Sequence, residues 1–129
     1  VSSAIRFPFL PRGTANGPLD LAPLLPARLS RGGVDVDVVG LVDSGASFSV
    51  LPYDLGVRFG LDWNVLPYGL ALTGSAGGSP AKILALDLSF GSIGPVSQLF
   101  AWTRSNAQPV IFGQATFFLN FDIFFSRAR

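Results

Sequence analysis

The chain has 129 residues, 49% of them hydrophobic, and carries nine basic against eight acidic side chains for a net charge of +1. That length accommodates one hydrophobic core and one domain, and the near balance of charge leaves no electrostatic footprint for nucleic acid or anionic lipid. Histidine, cysteine and glutamate are all absent, which removes the usual base of a hydrolytic triad, thiolate nucleophiles, disulfides and Cys-ligated zinc.

Glycine and proline together contribute 25 residues, and they cut the apolar sequence into short pieces separated by turn signals, the pattern of an all-β domain. Residues 5–10 read as a first strand and residues 11–23 as a loop rich in Gly, Pro and Asn. Residues 24–31 and 34–42 flank Gly32-Gly33, a dipeptide suited to the positive φ angles of a tight hairpin. Val34-Asp35-Val36-Asp37-Val38 alternates with period two, so one face of that strand is wet and the other buried. Residues 47–51 form a further short strand, after which Pro52 opens a brief helix that ends before Gly60. Residues 65–73 and 82–90 flank Gly74-Ser75-Ala76-Gly77-Gly78-Ser79-Pro80 and predict a longer hairpin with a mobile tip. Strands follow over 95–103 and 110–113, then a helical turn over 114–119 and a final strand over 121–126.

With His, Cys and Glu missing, acid–base chemistry is left to eight aspartates, an N-terminal amine, Tyr53, Tyr68 and Lys82. Asp43 stands apart from the other aspartates because it ends an apolar strand and is followed at once by a small turn, Ser44-Gly45-Ala46. A carboxylate in apolar surroundings is costly unless paired or hydrogen-bonded. Asp-Ser-Gly alone is also an ordinary turn, since an Asp side chain caps its own backbone two residues on. The other acids read as surface groups: Asp35 and Asp37 on a wet strand face, Asp54 in a first helical turn, Asp20, Asp62 and Asp87 near loops or strand surfaces. Gly74 to Gly78 lacks the Gly-Lys-Ser/Thr ending of a phosphate loop. A serine-hydrolase reading of Asp43, Ser44 and Ser47 would need Lys82, in the long hairpin, as its base. Trp63 and Trp102 read as core or groove residues rather than base-stacking platforms.

The longer stretch Gly40-Leu41-Val42-Asp43-Ser44-Gly45-Ala46-Ser47-Phe48-Ser49-Val50-Leu51-Pro52 resembles the active-site segment of the retropepsin-like aspartic peptidases: two apolar residues, Asp-Thr/Ser-Gly-Ala, then an apolar strand. Val110-Ile111-Phe112-Gly113 is similar to the family's second apolar-apolar-Gly element, with a short helix and a terminal strand after it. The resemblance implies a closed β-barrel of the acid protease type with one or two short helices, as a single domain over 1–129 that forms a symmetric dimer. By position, Asp43 would be the catalytic acid and Ser44 the hydroxyl that interlocks two active-site loops. Gly45 would let backbone approach substrate, with Ala46 completing the loop, while Ile111, Phe112 and Gly113 support it. The long hairpin would be a flap, about 70–83, whose Thr73, Gly74, Ser75, Ala76, Gly77 and Gly78 cover the substrate. Residues 5–10 and 121–126 would supply interface strands, and five of the twelve phenylalanines lie between Phe117 and Phe125. Two positions depart from the retroviral pattern, with Ser47 where an acid is frequent and Gln114 where Arg is frequent. Any link between them would be a neutral hydrogen bond.

There is one Asp-Ser-Gly segment in the chain, so the second carboxyl of an aspartic dyad has to come from a second copy, brought opposite by a twofold axis. The expected function is an aspartic endopeptidase whose partners are a polypeptide and itself, without metal, cofactor or nucleic acid. The rival reading is a weakly active or inactive retropepsin-like dimerisation module, and an unrelated β-sheet binding domain stands behind it. No apolar run reaches 18 residues and the start lacks signal-peptide character, so the chain reads as soluble. Because it begins with valine and contains no methionine, an upstream segment is expected to have been removed. That segment could have carried an anchor, which leaves the compartment open between cytoplasmic and tethered.

Overall fold

Alternation of side chains dictates the architecture. In the computed structural model, which describes residues 5–12, 20–65, 70–71 and 80–125, strand β3 (Leu24–Arg31) buries Leu25 and Leu29, packs Ala27 half-buried between them and exposes Pro26 and Arg28. It turns through Gly32 and Gly33, at φ 57° and 82°, into β4 (Val34–Val42), which buries Val36 and leaves Asp35 and Asp37 in solvent. Both turn residues occupy the left-handed region that glycine enters without a Cβ penalty. Short β5 (Val50–Leu51) and helix α1 (Tyr53–Arg58) follow, then β6 (Leu70–Ala71), β7 (Pro80–Phe90), β8 (Ile93–Thr103), β9 (Ile111–Phe112) and helix α2 (Phe117–Asn120). Strand β7 is the plainest case of period two, with Leu84, Leu86, Leu88 and Phe90 inside and Ala85 and Asp87 outside.

The strands are ordered β3-β4-β9-β5-β8-β7, and β3 pairs again with β7 through Arg28↔Ser89 to Ser30↔Asp87, so six strands close into a ring. Closure removes most free edges; β6 pairs with the start of β7, on the edge that β3 takes further along. Pairings β4–β9 and β5–β8 are parallel and the rest antiparallel. Inside the ring, Leu29, Leu51, Leu88, Trp102 and Phe112 have no solvent exposure. A train of rings, Phe100, Phe112, Phe117 and Phe90, runs through the core with centroid separations of 4.9–6.2 Å. Each fully buried ring of this kind contributes roughly 1.5–3 kcal/mol from area removed from water. At the other end Trp102 stacks on Tyr53, 5.6 Å apart and 7° from coplanar, and meets Trp63 edge-on. Gly56 lies under the Trp102 ring, where an added Cβ would stand 2.1 Å from it. These observations make the described residues mostly β, a mixed sheet closed in a ring with two short helices, as the alternation and turn signals led us to expect.

Two elements, at the two ends of the described chain, differ from the sequence expectation. The first strand is β1 (Leu10–Arg12), paired antiparallel with β2 (Asp20–Ala22) in a separate two-stranded sheet, whereas residues 5–9 carry no strand. Pro11 sits in a ribbon both of whose strands are edges, the sheet position to which proline is largely confined. At the other end, residues 121–125 form no strand within the chain, although Phe121 and Ile123 pack on the core while Phe124 and Phe125 are exposed. The period-two pattern is present over 121–124 without a pairing strand among the described residues. Lys82 lies in the strand after the hairpin tip, as expected, and is 4% exposed within β7, opposite Trp102. Its ammonium donates to the Trp63 carbonyl and lies 4.9 Å from that residue's ring centroid. A serine-hydrolase reading would require the amine to leave the Trp63 carbonyl that it now engages.

Candidate active site

Asp43 follows the last residue of β4 and is held by the strand that passes between β4 and β5. Strand β9 pairs parallel with β4 through Leu41↔Ile111 and Val42↔Phe112 and antiparallel with β5 through Val50↔Ile111. The chain therefore leaves the sheet at Asp43, makes its turn, and returns in β5 on the far side of β9. The Asp43 N–H donates to the Phe112 carbonyl at 3.0 Å, which carries the β4–β9 ladder up to the carboxylate residue itself. Phe112 is fully buried, and Gly40 allows its ring to lie against β4, since a Cβ at Gly40 would stand 2.3 Å from that ring.

The turn after Asp43 is tied to residues 113–115 bond by bond. Gly113 N–H donates to the buried Ser49 hydroxyl at 3.0 Å, Gln114 N–H to the Ala46 carbonyl at 2.9 Å, and Ala115 N–H to the Ser47 carbonyl at 3.0 Å. Ser49 N–H returns a bond to the Ala115 carbonyl at 2.9 Å, and the Ser49 carbonyl accepts from Ala101 on β8 at 2.8 Å. A Cβ on Gly113 would meet the Phe48 carbonyl oxygen at 2.4 Å, so the close approach of the two segments requires glycine at that position. The Asp43 side chain is half-buried, and its Oδ1 accepts from Gly45 N–H at 2.9 Å. That bond is the Asp-Ser-Gly turn anticipated from sequence as the bland reading, here combined with a carboxylate that still reaches solvent. Ser44 and Gly45 are exposed and Ala46 is half-buried.

The structure thus brings together Asp43, Ser44, Gly45 and Ala46 with Ile111, Phe112 and Gly113. Thr73, Gly74, Ser75, Ala76, Gly77 and Gly78 lie outside the described residues. The described bases of that hairpin do pair, Leu70 with Ala81 and Ala71 with Pro80. The expected Ser47–Gln114 link takes a different form: the Gln114 side-chain Nε2 donates at 2.7 Å to the carbonyl of Ser44, while Ser47 is reached by the backbone of Ala115. Because a carbonyl oxygen only accepts, chemistry orients the amide with its nitrogen toward Ser44.

Sequence reasoning missed three supporting groups. Ser49, with no solvent exposure, was signalled only by a hydroxyl set between Phe48 and Val50. Asn106 Oδ1 accepts from Asp54 N–H at 2.9 Å, and the Ser105 carbonyl from Tyr53 N–H at 3.2 Å, so the loop after β8 caps α1 in place of Pro52, which makes no side-chain cap. Gln98, 1% exposed, accepts from Thr116 Oγ1 at 3.0 Å and donates to Asn120 Oδ1 at 2.7 Å, fastening α2 to β8. No local pattern marks such long-range polar contacts. Among the described residues no three His, Cys, Asp or Glu side chains form a group that could hold a metal ion, and no helix is long and apolar enough to cross a membrane.

No family model matches the sequence, and no curated protein does. Among solved structures, that of a retropepsin-like aspartic protease from Rickettsia conorii is similar to this chain, with a TM-score of 0.54 and 18% identity. The match covers 70% of this chain and 66% of the Rickettsia chain, just under two thirds of that protein's length. At that identity the likeness concerns architecture: the closed ring, with β9 threaded between β4 and β5 beside Asp43, is a retropepsin-like fold.

Proposed function

We propose that the chain is one subunit of a homodimeric aspartic endopeptidase, in which two copies of Asp43 meet across a twofold axis and together hydrolyse a peptide bond. The observation that carries this reading is the placement of Asp43: a half-buried, solvent-reachable carboxylate at the junction of β4, β9 and β5, in a retropepsin-like fold. Hydrolysis by water requires one group to take a proton and another to give one. Two carboxyls held close cannot both ionise cheaply, so the pair retains one proton and can do both. One copy draws the proton from water as it attacks the scissile carbonyl. The other donates to the carbonyl oxygen, and the roles exchange when the tetrahedral intermediate collapses toward amine and acid. Gly45 N–H, bonded to one carboxylate oxygen, leaves the remaining oxygen free for water or the second carboxyl.

Support for a second copy is of two kinds. The chain supplies one Asp-Ser-Gly segment, and residues 121–124 alternate like a strand without pairing with any strand among the described residues, with Phe124 92% exposed. In this proposal residues 121–126 pair with the second copy, the exposed Ser44 hydroxyl bridges the two active-site loops, and the hairpin over 70–83 closes on an extended polypeptide. The test is cleavage of an unbiased peptide library by the wild type and by Asp43→Asn at matched folding, with sedimentation of both. Cleavage by the wild type that disappears in the variant, from a species of twice the chain mass, is the expected result. Equal cleavage by both proteins removes the dyad. A folded dimer without cleavage favours the inactive dimerisation module.

A further inference from the structure

The carbonyl of Ser44 and the N–H of Gly45 are the two ends of one peptide group, and both ends are engaged. Gln114 Nε2 donates to the carbonyl at 2.7 Å and the N–H donates to Asp43 Oδ1 at 2.9 Å. From this we infer that Gln114 is a positioning residue for the carboxylate: its side-chain amide fixes the orientation of the Ser44–Gly45 peptide and so keeps that peptide's N–H aimed at Asp43. The kinetic part of the inference rests on the peptidase reading.

The peptide plane is the mechanical link. A planar amide turns as a unit, so rotation that takes the Ser44 oxygen away from Gln114 also takes the Gly45 hydrogen away from Asp43. The turn is closed by Ala46 N–H donating to the Asp43 carbonyl at 3.2 Å, but that bond spans the Ser44–Gly45 peptide without engaging either of its ends; Ser44 and Gly45 are exposed, and glycine tolerates either orientation of the flanking peptide. Gln114 is itself exposed, yet its backbone is anchored, with N–H to the Ala46 carbonyl at 2.9 Å and neighbours Gly113 and Ala115 bonded to Ser49 and Ser47. Its side chain therefore starts from a fixed base, which reduces the entropy lost in making the bond. Accepting a bond at the carbonyl also polarises the amide and strengthens its N–H as a donor. Electrostatics adds a constraint on residue type, because the group at position 114 must donate. A neutral amide does so at every pH at which the protein is folded, and brings no charge close to the carboxylate.

The experiment compares the wild type, Gln114→Leu and Gln114→Glu by hydrogen exchange of the Gly45 amide, referenced to ladder amides of β7 and β8, and by kcat and KM across pH. Loss of the donor in Gln114→Leu should speed Gly45 exchange by roughly two- to tenfold, the range set by the net worth of one neutral hydrogen bond. It should lower kcat more than KM is changed, because Gln114 touches the loop and not the substrate. Gln114→Glu is near-isosteric and reports on the donor itself. Protonated, its carboxyl can still donate to Ser44; ionised, it only accepts and repels the carbonyl. That variant should track the wild type at low pH and acquire a new limb of faster Gly45 exchange and lower kcat as the introduced carboxyl ionises. Unchanged Gly45 exchange in both variants, or equal losses in both at every pH, would overturn the assignment. The exchange measurement needs no turnover. A wild type without Asp43-dependent cleavage, alongside a pH-dependent Gly45 response in Gln114→Glu, would end the peptidase reading while supporting the positioning role.

Discussion

Replacing Gly113 by alanine tests whether the active-site turn depends on the contact between residues 113–115 and 46–49. The new Cβ would stand 2.4 Å from the Phe48 carbonyl oxygen, 2.7 Å from its carbon and 2.8 Å from the Ala46 carbonyl oxygen. All three are backbone atoms, so no flexible side-chain end can swing away. Reaching an ordinary contact requires the segments to part by about 1 Å, and overpacking of that kind costs roughly 1–3 kcal/mol. The same parting stretches the bonds from Gly113 N–H to Ser49, from Gln114 N–H to Ala46 and from Ala115 N–H to Ser47, now 2.9–3.0 Å. Each is worth about 1 kcal/mol net. Since strain and bond loss are alternative ways of relaxing, the total is about 3 kcal/mol, a large share of the ~5–15 kcal/mol that holds a typical domain folded. Urea denaturation at one fixed protein concentration, followed by tryptophan fluorescence, should show a lower midpoint with the slope unchanged. Gly32→Ala is the comparison: Gly32 has φ +57° and no atom within 4 Å of an added Cβ, so its cost is backbone strain alone, about 1 kcal/mol. If Gly113→Ala loses no more stability than Gly32→Ala, the two segments are not locked as described.

Trp102→Ala should cost about 3–5 kcal/mol, because it empties the space between Tyr53, Trp63 and Gly56 and leaves the Tyr53 carbonyl without the indole N–H that reaches it at 3.0 Å. Loss of near-UV circular dichroism together with a lowered denaturation midpoint is the readout. Phe124→Ser should leave monomer stability within about 0.5 kcal/mol, since the ring is 92% exposed, yet weaken self-association by roughly tenfold or more if the ring is buried in a dimer; sedimentation over a dilution series distinguishes this from no effect. Asp37 is held below the usual carboxyl range, first by the hydrogen bond from Arg28 and then by its charge. A carboxyl with its folded value depressed contributes stability above its unfolded value and loses it as pH falls through the folded one. Asp37→Asn should therefore flatten part of the acid limb of stability. The effect should be small, because both partners are largely exposed.

Legibility in the sequence followed the range of the interactions. The hairpin β3–β4 matches its expected bounds residue for residue, because Gly32-Gly33 and valine alternation are local signals that agree with each other. Asp43 stood out for the same reason, as a charge ending an apolar strand. What could not be read is whatever a distant segment decides. Leu10–Arg12 becomes a strand only because Asp20–Ala22 comes back beside it, and residues 121–124 carry strand alternation but have no pairing strand among the described residues. The departure at Gln114 was visible, but its partner was not: register between the turn and residues 113–115 sends the side chain to the Ser44 carbonyl and leaves Ser47 to the backbone. Strand β7 starts at Pro80, two residues earlier than the turn signals implied, and the burial of Lys82 within it depends on Trp63, 19 residues away in the sequence.

Subunit mixing addresses most directly the claim that each site is built from two chains. Wild type and Asp43→Asn are combined at constant total concentration, allowed to exchange, and assayed for peptide cleavage. If both carboxyls are needed, activity falls as the square of the wild-type fraction, to about one quarter in an equal mixture of randomly paired subunits. A linear decline to about one half would mean that each chain works alone, and the shared site would be wrong.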